Sequence, residues 1–227
     1  KGFSKTNLGY FKRGIETDIF RPHSKTAEKG FFKLLYVGRI SKDKNLDFLI
    51  GFFEKLQKRI KDVKLEIVGD GPYFKTLYKK VKRNKDIILK GKIDYKDLPE
   101  IYNSADLLVF PSITDTFGMA VLEAQACGVP ALVTNIGGPQ EIIKDGETGF
   151  TAPVNKDIWI HITANIIEMK RNNKTEYLKL KKSSRNRVVE KYDLNKILKK
   201  LLDAKIITHK KQDVISTQST FNSVLSA

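Results

Sequence analysis

"KLEIVGDGPYF", residues 64–74, reads as a strand, a tight turn and the opening of a helix. Its first half is a short apolar run ending at glycine, the pattern of a strand buried on both faces. Gly69 breaks that run, and Pro72 suits the first turn of a helix, where no backbone N–H is needed. A dinucleotide fingerprint, G-x-G-x-x-G, would put a third glycine at position 74, where Phe74 stands. The stretch therefore gives one strand–turn–helix unit and argues against a dinucleotide site.

The same unit recurs on either side. "KLLYVGR" (33–39), "KLEIVGD" (64–70), "IILKG" (87–91), "DLLVFPS" (106–112) and "ALVTN" (131–135) read as strands. Helical patterns fall between and after them, at 45–58, 72–83, 97–103, 118–127 and 139–144. Such alternation predicts an α/β fold: a Rossmann-like parallel sheet with flanking helices and ligands at the strands' carboxyl ends. The last third is helical, at 156–171, 174–190 and 193–204. Leu194, Ile197, Leu198, Leu201 and Leu202 make a one-sided apolar stripe on the last of these. The expected organisation is a linker segment at 1–30, one ligand-binding domain at 31–204 and a polar tail at 205–227.

A formal net charge of +16 over 227 residues points to an anionic partner. Residues 151–227 hold 16 Lys and Arg against 7 Asp and Glu. A second cluster, Lys75, Lys79, Lys80, Lys82, Arg83 and Lys85, falls on one predicted helix and its end. Both stretches suit an anionic membrane surface or a merely solvated face. Nucleic acid is disfavoured, because the basic stretches at 75–85 and 179–200 carry only Tyr78 and Tyr192 for stacking. The single cysteine, Cys127, excludes a disulfide framework and suits a reducing, cytoplasmic compartment. The three histidines, His23, His161 and His209, stand in no catalytic or metal-ligand spacing, and there is no D-x-D pair or P-loop.

Two stretches carry the candidate chemistry. "VGRISKDKN" (37–45) sets Arg39 and Lys44 just past a strand; Arg offers a planar fork and Lys a point charge for phosphate oxygens. The rival reading is a solvated surface, with Asn45 capping the next helix. "TDTFGMAVLEAQACGVP" (114–130) places Asp115 before a helix opened by Gly118, and Glu123 within it. A helix N-terminus favours a phosphate, and carboxylates accept hydrogen bonds from vicinal hydroxyls, so a sugar nucleotide fits between them. Alternatively, Asp115 or Thr116 only caps the helix and Glu123 lies on a solvated face. "NIGGPQEI" (135–142) repeats the glycine-then-helix arrangement, either for ligand approach or as a simple turn.

Taken together with "RGIETDIFRP" (13–22), "VGDGP", "YNSADLLVFPS" and "GGPQEIIKDGETGF", these segments resemble the C-terminal, donor-binding domain of family-4 retaining glycosyltransferases, half of a GT-B fold. The resemblance covers about residues 12–204. It implies that Arg39 and Lys44 hold the donor diphosphate and stabilise the leaving charge, and that Glu123 binds the ribose. Asp115 would face the transferred sugar. Phe117, Gly118 and Met119 would line that sugar and present amides, and Gly38, Gly69, Lys92 and Ile93 would meet the nucleotide. Arg39, Lys44 and Asp115 are thus the expected catalytic residues.

No metal and no cofactor beyond a GDP-, UDP- or ADP-sugar donor is implied. The enzyme would move a hexose, with mannose preferred, to a glycan or glycolipid acceptor bound by an N-terminal domain outside this chain. A peripheral place on the inner membrane face would bring it to such acceptors. This sequence departs from the family pattern at Asp115, where the first acid of E-x7-E is one methylene shorter. The rival functions are half of a nucleotide-sugar epimerase and a non-catalytic basic module for membrane or nucleic acid.

Overall fold

The computed structural model describes residues 13–23 and 30–203. The chain forms two compact units. The larger, residues 17–191, is built on six parallel strands: β1 (Phe32–Val37), β2 (Val63–Val68), β3 (Ile87–Gly91), β4 (Leu107–Phe110), β5 (Ala131–Thr134) and β6 (Gly149–Ala152). Their spatial order is β3-β2-β1-β4-β5-β6, so the order reverses between β1 and β4. That is the topological switch point at which an open α/β sheet leaves a crevice for a ligand. The helices are α1 (Leu46–Arg59), α2 (Phe74–Val81), α3 (Leu98–Asn103), α4 (Met119–Ala126), α5 (Pro139–Ile142), α6 (Lys156–Asn172) and α7 (Lys174–Lys191).

The expected strands lie where their apolar runs fall. Phe32–Val37 pairs residue for residue with Val63–Val68, and all six β1 residues are buried. Glu66, in the middle of β2, is buried as well. Such a charge is tolerable only with a partner, and Lys33 Nζ stands 2.6 Å from Glu66 Oε2. β6 is an addition to the expected sheet. It has only four residues, two of them half-buried at the sheet's edge, and lacks the Val, Ile and Leu run that marked the others.

Trp159 of α6 is fully buried, edge-on to Phe48 and Phe52 of α1 at 5.2 and 5.7 Å, with its indole N–H donating to Pro153 O. On α7 the arginines are structural. Arg185 donates to the carbonyls of Thr17, Phe20 and Ala126, and Arg187 to those of Glu141 and Ile142. These two guanidiniums join backbone segments within the unit, so the basic stretch at 174–200 offers less free charge than its count suggests.

In the smaller unit Ile15 bridges Asp193, and a helix runs over 194–203 as expected. Its apolar stripe is covered only in part: Leu194 and Ile197 are half-buried, whereas Leu198, Leu201 and Leu202 are 43, 37 and 62 % exposed. The tail expected at 205–227, and most of the expected linker, lie outside the described residues.

Candidate functional site

The carboxyl ends of β1, β2, β4 and β5 carry Arg39, Gly71, Pro111 and Gly137 to one edge of the sheet. The loop after β1 and the turn after β2 run against each other. Gly38 N–H donates to Val68 O, and Gly69 N–H to Gly91 O. Gly69 has φ +140°, and a Cβ there would collide with the Gly38 carbonyl, so only glycine lets the two backbones approach. A cleft of about 260 Å3 opens beside them, lined by Gly38, Arg39, Gly69, Lys92, Ile93 and Leu98, among others. Five residues expected to meet the nucleotide are thus gathered in one cleft. The Arg39 side chain is exposed and has no ion-pair partner among the described residues. Beneath it the buried Tyr36 hydroxyl donates to Arg39 O at 3.1 Å, fixing the loop; burial, then the charges of Asp115 and Asp43, push that phenol far above its ordinary range.

Across the switch point the loops after β1 and β4 are joined by side chains. Lys44 Nζ lies 3.0 Å from Asp115 Oδ2 and 3.3 Å from Asp43 Oδ2. Burial alone would lower the Lys44 ammonium, but the hydrogen bonds and charges of Asp115 and Asp43 outweigh it and hold the group above its ordinary value. Asp43 is held down to about 2 by the Ser41 hydroxyl, with Lys44 and Thr114 adding to the effect. Thr114 Oγ1 also lies 3.3 Å from Asp43 O, and Asn45 Nδ2 donates to Pro111 O. Asn45 therefore stands at the start of α1 without making a side-chain cap; its amide ties β1's loop to β4's.

The capping alternative for Asp115 and Thr116 also fails. Gly118 is the N-cap of α4, at φ 92° and ψ 62°, with no side-chain cap. The early amides of a helix lack intrahelical acceptors, so this end can accept an anion. Phe117 and Met119 beside it are half-buried.

Glu123 is 8 % exposed, so the solvated-face reading is overturned as well. Its Oε2 accepts a 2.6 Å hydrogen bond from the fully buried Tyr102 hydroxyl. Burial raises the Glu123 carboxyl above its ordinary value, and the Tyr102 bond partly offsets that. Tyr102 lies in the quoted "YNSADLLVFPS" stretch, but nothing in that string shows that its hydroxyl meets Glu123. Sequence reasoning likewise missed Asp43 and Thr114.

The paired glycines of "NIGGPQEI" serve a neighbouring loop. Gly138 N–H donates to Asp115 O, and a Cβ on Gly138 would strike Thr116 O. They seat the backbone of 113–118, which sets the height of Asp115. Among the described residues no group of three or more His, Cys, Asp or Glu could hold a metal ion, and no helix is long and apolar enough to cross a membrane.

An open parallel sheet with its switch point flanked by a cationic loop and a glycine-opened helix places the molecule among Rossmann-like α/β domains. Residues 18–187 match the family described as Glycosyl transferases group 1, more than half of the chain, and the protein belongs to that family. It is 32 % identical over 148 residues to the N-acetyl-alpha-D-glucosaminyl L-malate synthase of Bacillus anthracis, covering 64 % of this chain and 37 % of that protein. It is also 32 % identical over 156 residues to the GDP-mannose-dependent alpha-mannosyltransferase of Corynebacterium glutamicum, covering 65 % and 36 %. Among solved structures, Anabaena HepE in complex with UDP and glucose superposes with a TM-score of 0.69 at 20 % identity, over 84 % of this chain and 54 % of that one. The shared architecture is that of GT-B enzymes. The chain spans somewhat over a third of the length of the two curated relatives.

Proposed function

We propose that this chain is the donor-binding domain of a retaining glycosyltransferase that takes a hexose from a nucleoside diphosphate sugar. The observation that carries the reading is that a free Arg39 guanidinium lines the open cleft, while Lys44, paired with Asp115, joins the loops after β1 and β4 across the switch point, and Glu123 is held by Tyr102 on the helix that follows. The base and ribose would enter the cleft beside Gly38, Gly69, Lys92 and Ile93, with the ribose hydroxyls donating to Glu123. The diphosphate would lie between Arg39, Lys44 and the amides at Gly118 and Met119. Fixed cations and amides stabilise charge as it develops on the leaving phosphate. They do so without a metal, and a donor phosphate oxygen would take the acceptor hydroxyl's proton on the face from which the sugar leaves.

Asp115 and Phe117 would hold the sugar's hydroxyls and ring. Mannose is a supported choice of sugar because one relative is GDP-mannose-dependent. An acceptor domain outside this chain would complete the cleft. Calorimetry with GDP, UDP and ADP, followed by a transfer assay, tests both parts. The chain should bind a nucleoside diphosphate and fail to transfer sugar by itself. No binding of any of the three, or efficient transfer by this chain alone, would sink the proposal.

A second reading concerns location, on the cytoplasmic side. Lys75, Lys79, Lys82, Arg83 and Lys85 are exposed and have no ion pair among the described residues, and Tyr78 stands 54 % exposed in their midst. Unpaired cations beside an exposed aromatic suit an anionic membrane surface, at about 1 kcal/mol for each cation near the lipid. Lys80 does not join them, being paired with Asp47 at 2.6 Å. Co-sedimentation with phosphatidylserine vesicles should be lost in high salt and in Lys82→Glu/Arg83→Glu. Salt-insensitive sedimentation, or none, would mark these lysines as a solvated face.

A further inference from the structure

We propose that Tyr102 is the positioning residue of the ribose subsite: it holds one oxygen of Glu123 and so presents the other, in ionised form, to the nucleotide. The inference rests on the donor-domain reading above and names a residue that reading does not use. Glu123 Oε2 accepts the Tyr102 hydroxyl at 2.6 Å, and Glu123 Oε1 has no hydrogen-bond partner among the described residues. A carboxylate on a helix whose residues 121–126 are all buried would otherwise choose among rotamers and protonation states. Tyr102 removes that choice because it is itself fixed. Its ring is fully buried and meets Phe20 edge-on at 6.1 Å. The next residue, Asn103, donates to Arg21 O and Pro99 O and accepts from His23 N–H, pinning α3 to the segment before the sheet. Arg185 binds Phe20 O and Ala126 O together, which ties the same segment to the end of α4. Donor and acceptor are each anchored to residues 17–23.

A phenol that donates to a carboxylate favours its charged form, whereas burial favours the neutral acid. Both act here, burial being the larger, and the acid sits above its ordinary value. Among the other titratable groups nearby, Tyr95 before α3 and Cys127 at the end of α4 act on Tyr102, and Arg185 and Lys181 on α7 act on Cys127. Burial pushes the Cys127 thiol up to about 12 and lowers the Lys181 ammonium; neither touches the carboxylate. Tyr102→Phe keeps the ring and deletes only the donor. It must raise the Glu123 acid further, so the carboxylate is lost at a higher pH than in the wild type.

The test is calorimetry with UDP and GDP at pH 6 and pH 8 on wild type, Tyr102→Phe, Glu123→Gln and the double variant. Comparison between variants at each pH cancels the titration of the nucleotide. Tyr102→Phe should weaken binding about tenfold at pH 6 and distinctly less at pH 8. In the Glu123→Gln background the same change should add no pH dependence. An unchanged pH profile in Tyr102→Phe, or a loss equal at both pH values and repeated in the Gln background, overturns the inference while leaving the donor reading standing. No nucleotide binding by the wild type overturns both. Should Tyr102→Phe fail to fold, carbon NMR of the wild type decides. The Glu123 carboxyl and the Tyr102 Cζ should shift in one common titration step, and independent titration overturns the coupling.

Discussion

Asp115→Asn should strengthen binding of a bare nucleoside diphosphate. In the free protein Lys44 is engaged with Asp115 at 3.0 Å, with the side chains 16 and 25 % exposed. A diphosphate must therefore share that ammonium with an internal carboxylate. An ion pair this accessible has a net worth of about 1 kcal/mol or less after desolvation and side-chain ordering. Removing the competing charge should then raise UDP or GDP affinity by roughly twofold to fivefold. Asp43, at 3.3 Å from the same ammonium, keeps part of it engaged, so the lower figure is expected. Lys44→Met makes the opposite change. It deletes a charge-assisted contact to phosphate, worth about 1.5–3 kcal/mol, and should weaken binding roughly tenfold to a hundredfold. Asp115 holds the Lys44 ammonium above its ordinary value, and without it the group still remains charged at neutral pH, so the gain should be flat from pH 6 to 8. The assay is calorimetry on the two variants with the diphosphate and with the matching sugar nucleotide. The gain in Asp115→Asn should disappear with the sugar nucleotide, where Asp115 has its own ligand. A loss of diphosphate affinity in Asp115→Asn equal to that in Lys44→Met would refute the division of labour between phosphate and sugar.

Glu123→Gln should stabilise the fold at neutral pH while weakening nucleotide binding. The folded-state acid lies above its unfolded value, so the stability tied to its proton is complete below the unfolded range and is lost as pH rises through the folded one. The variant should accordingly melt about 2–4 °C higher at pH 8, with the difference vanishing near pH 4; an equal shift at both would show that charge burial is not the cause. Arg185→Lys cannot reach three carbonyls at once, and should cost about 2–3 kcal/mol in urea unfolding. A loss under about 0.5 kcal/mol would place that guanidinium outside the framework of the site.

The sheet was legible because β1, β2, β4 and β5 are buried throughout or nearly so, and burial on both faces leaves continuous apolar runs in the sequence. β6 was not, because an edge strand reading Gly-Phe-Thr-Ala carries no aliphatic run and needs only one neighbour to order it. Arg39, Lys44 and Asp115 could be singled out because loops after strands in such folds face the crevice, and Glu123 because it lies on the glycine-opened helix that follows. Their partners could not. Lys44 and Asp115 are 71 residues apart, and Tyr102 and Glu123 are 21 apart on different helices. No local pattern encodes either meeting. The glycines at 137–138 show the converse difficulty. A glycine tolerates any close neighbour, and only the fold reveals that the neighbour is the chain's own loop at 115–116.

The most direct test of the central claim is amide chemical-shift mapping of the labelled chain during titration with UDP and with GDP. Saturable shifts should concentrate at Gly38, Arg39, Gly69, Ile93, Gly118 and Met119, around the switch point, and spare Tyr78 to Lys85. Shifts confined to the basic residues of 75–85, or scattered without saturation, would contradict a nucleotide site at this edge of the sheet.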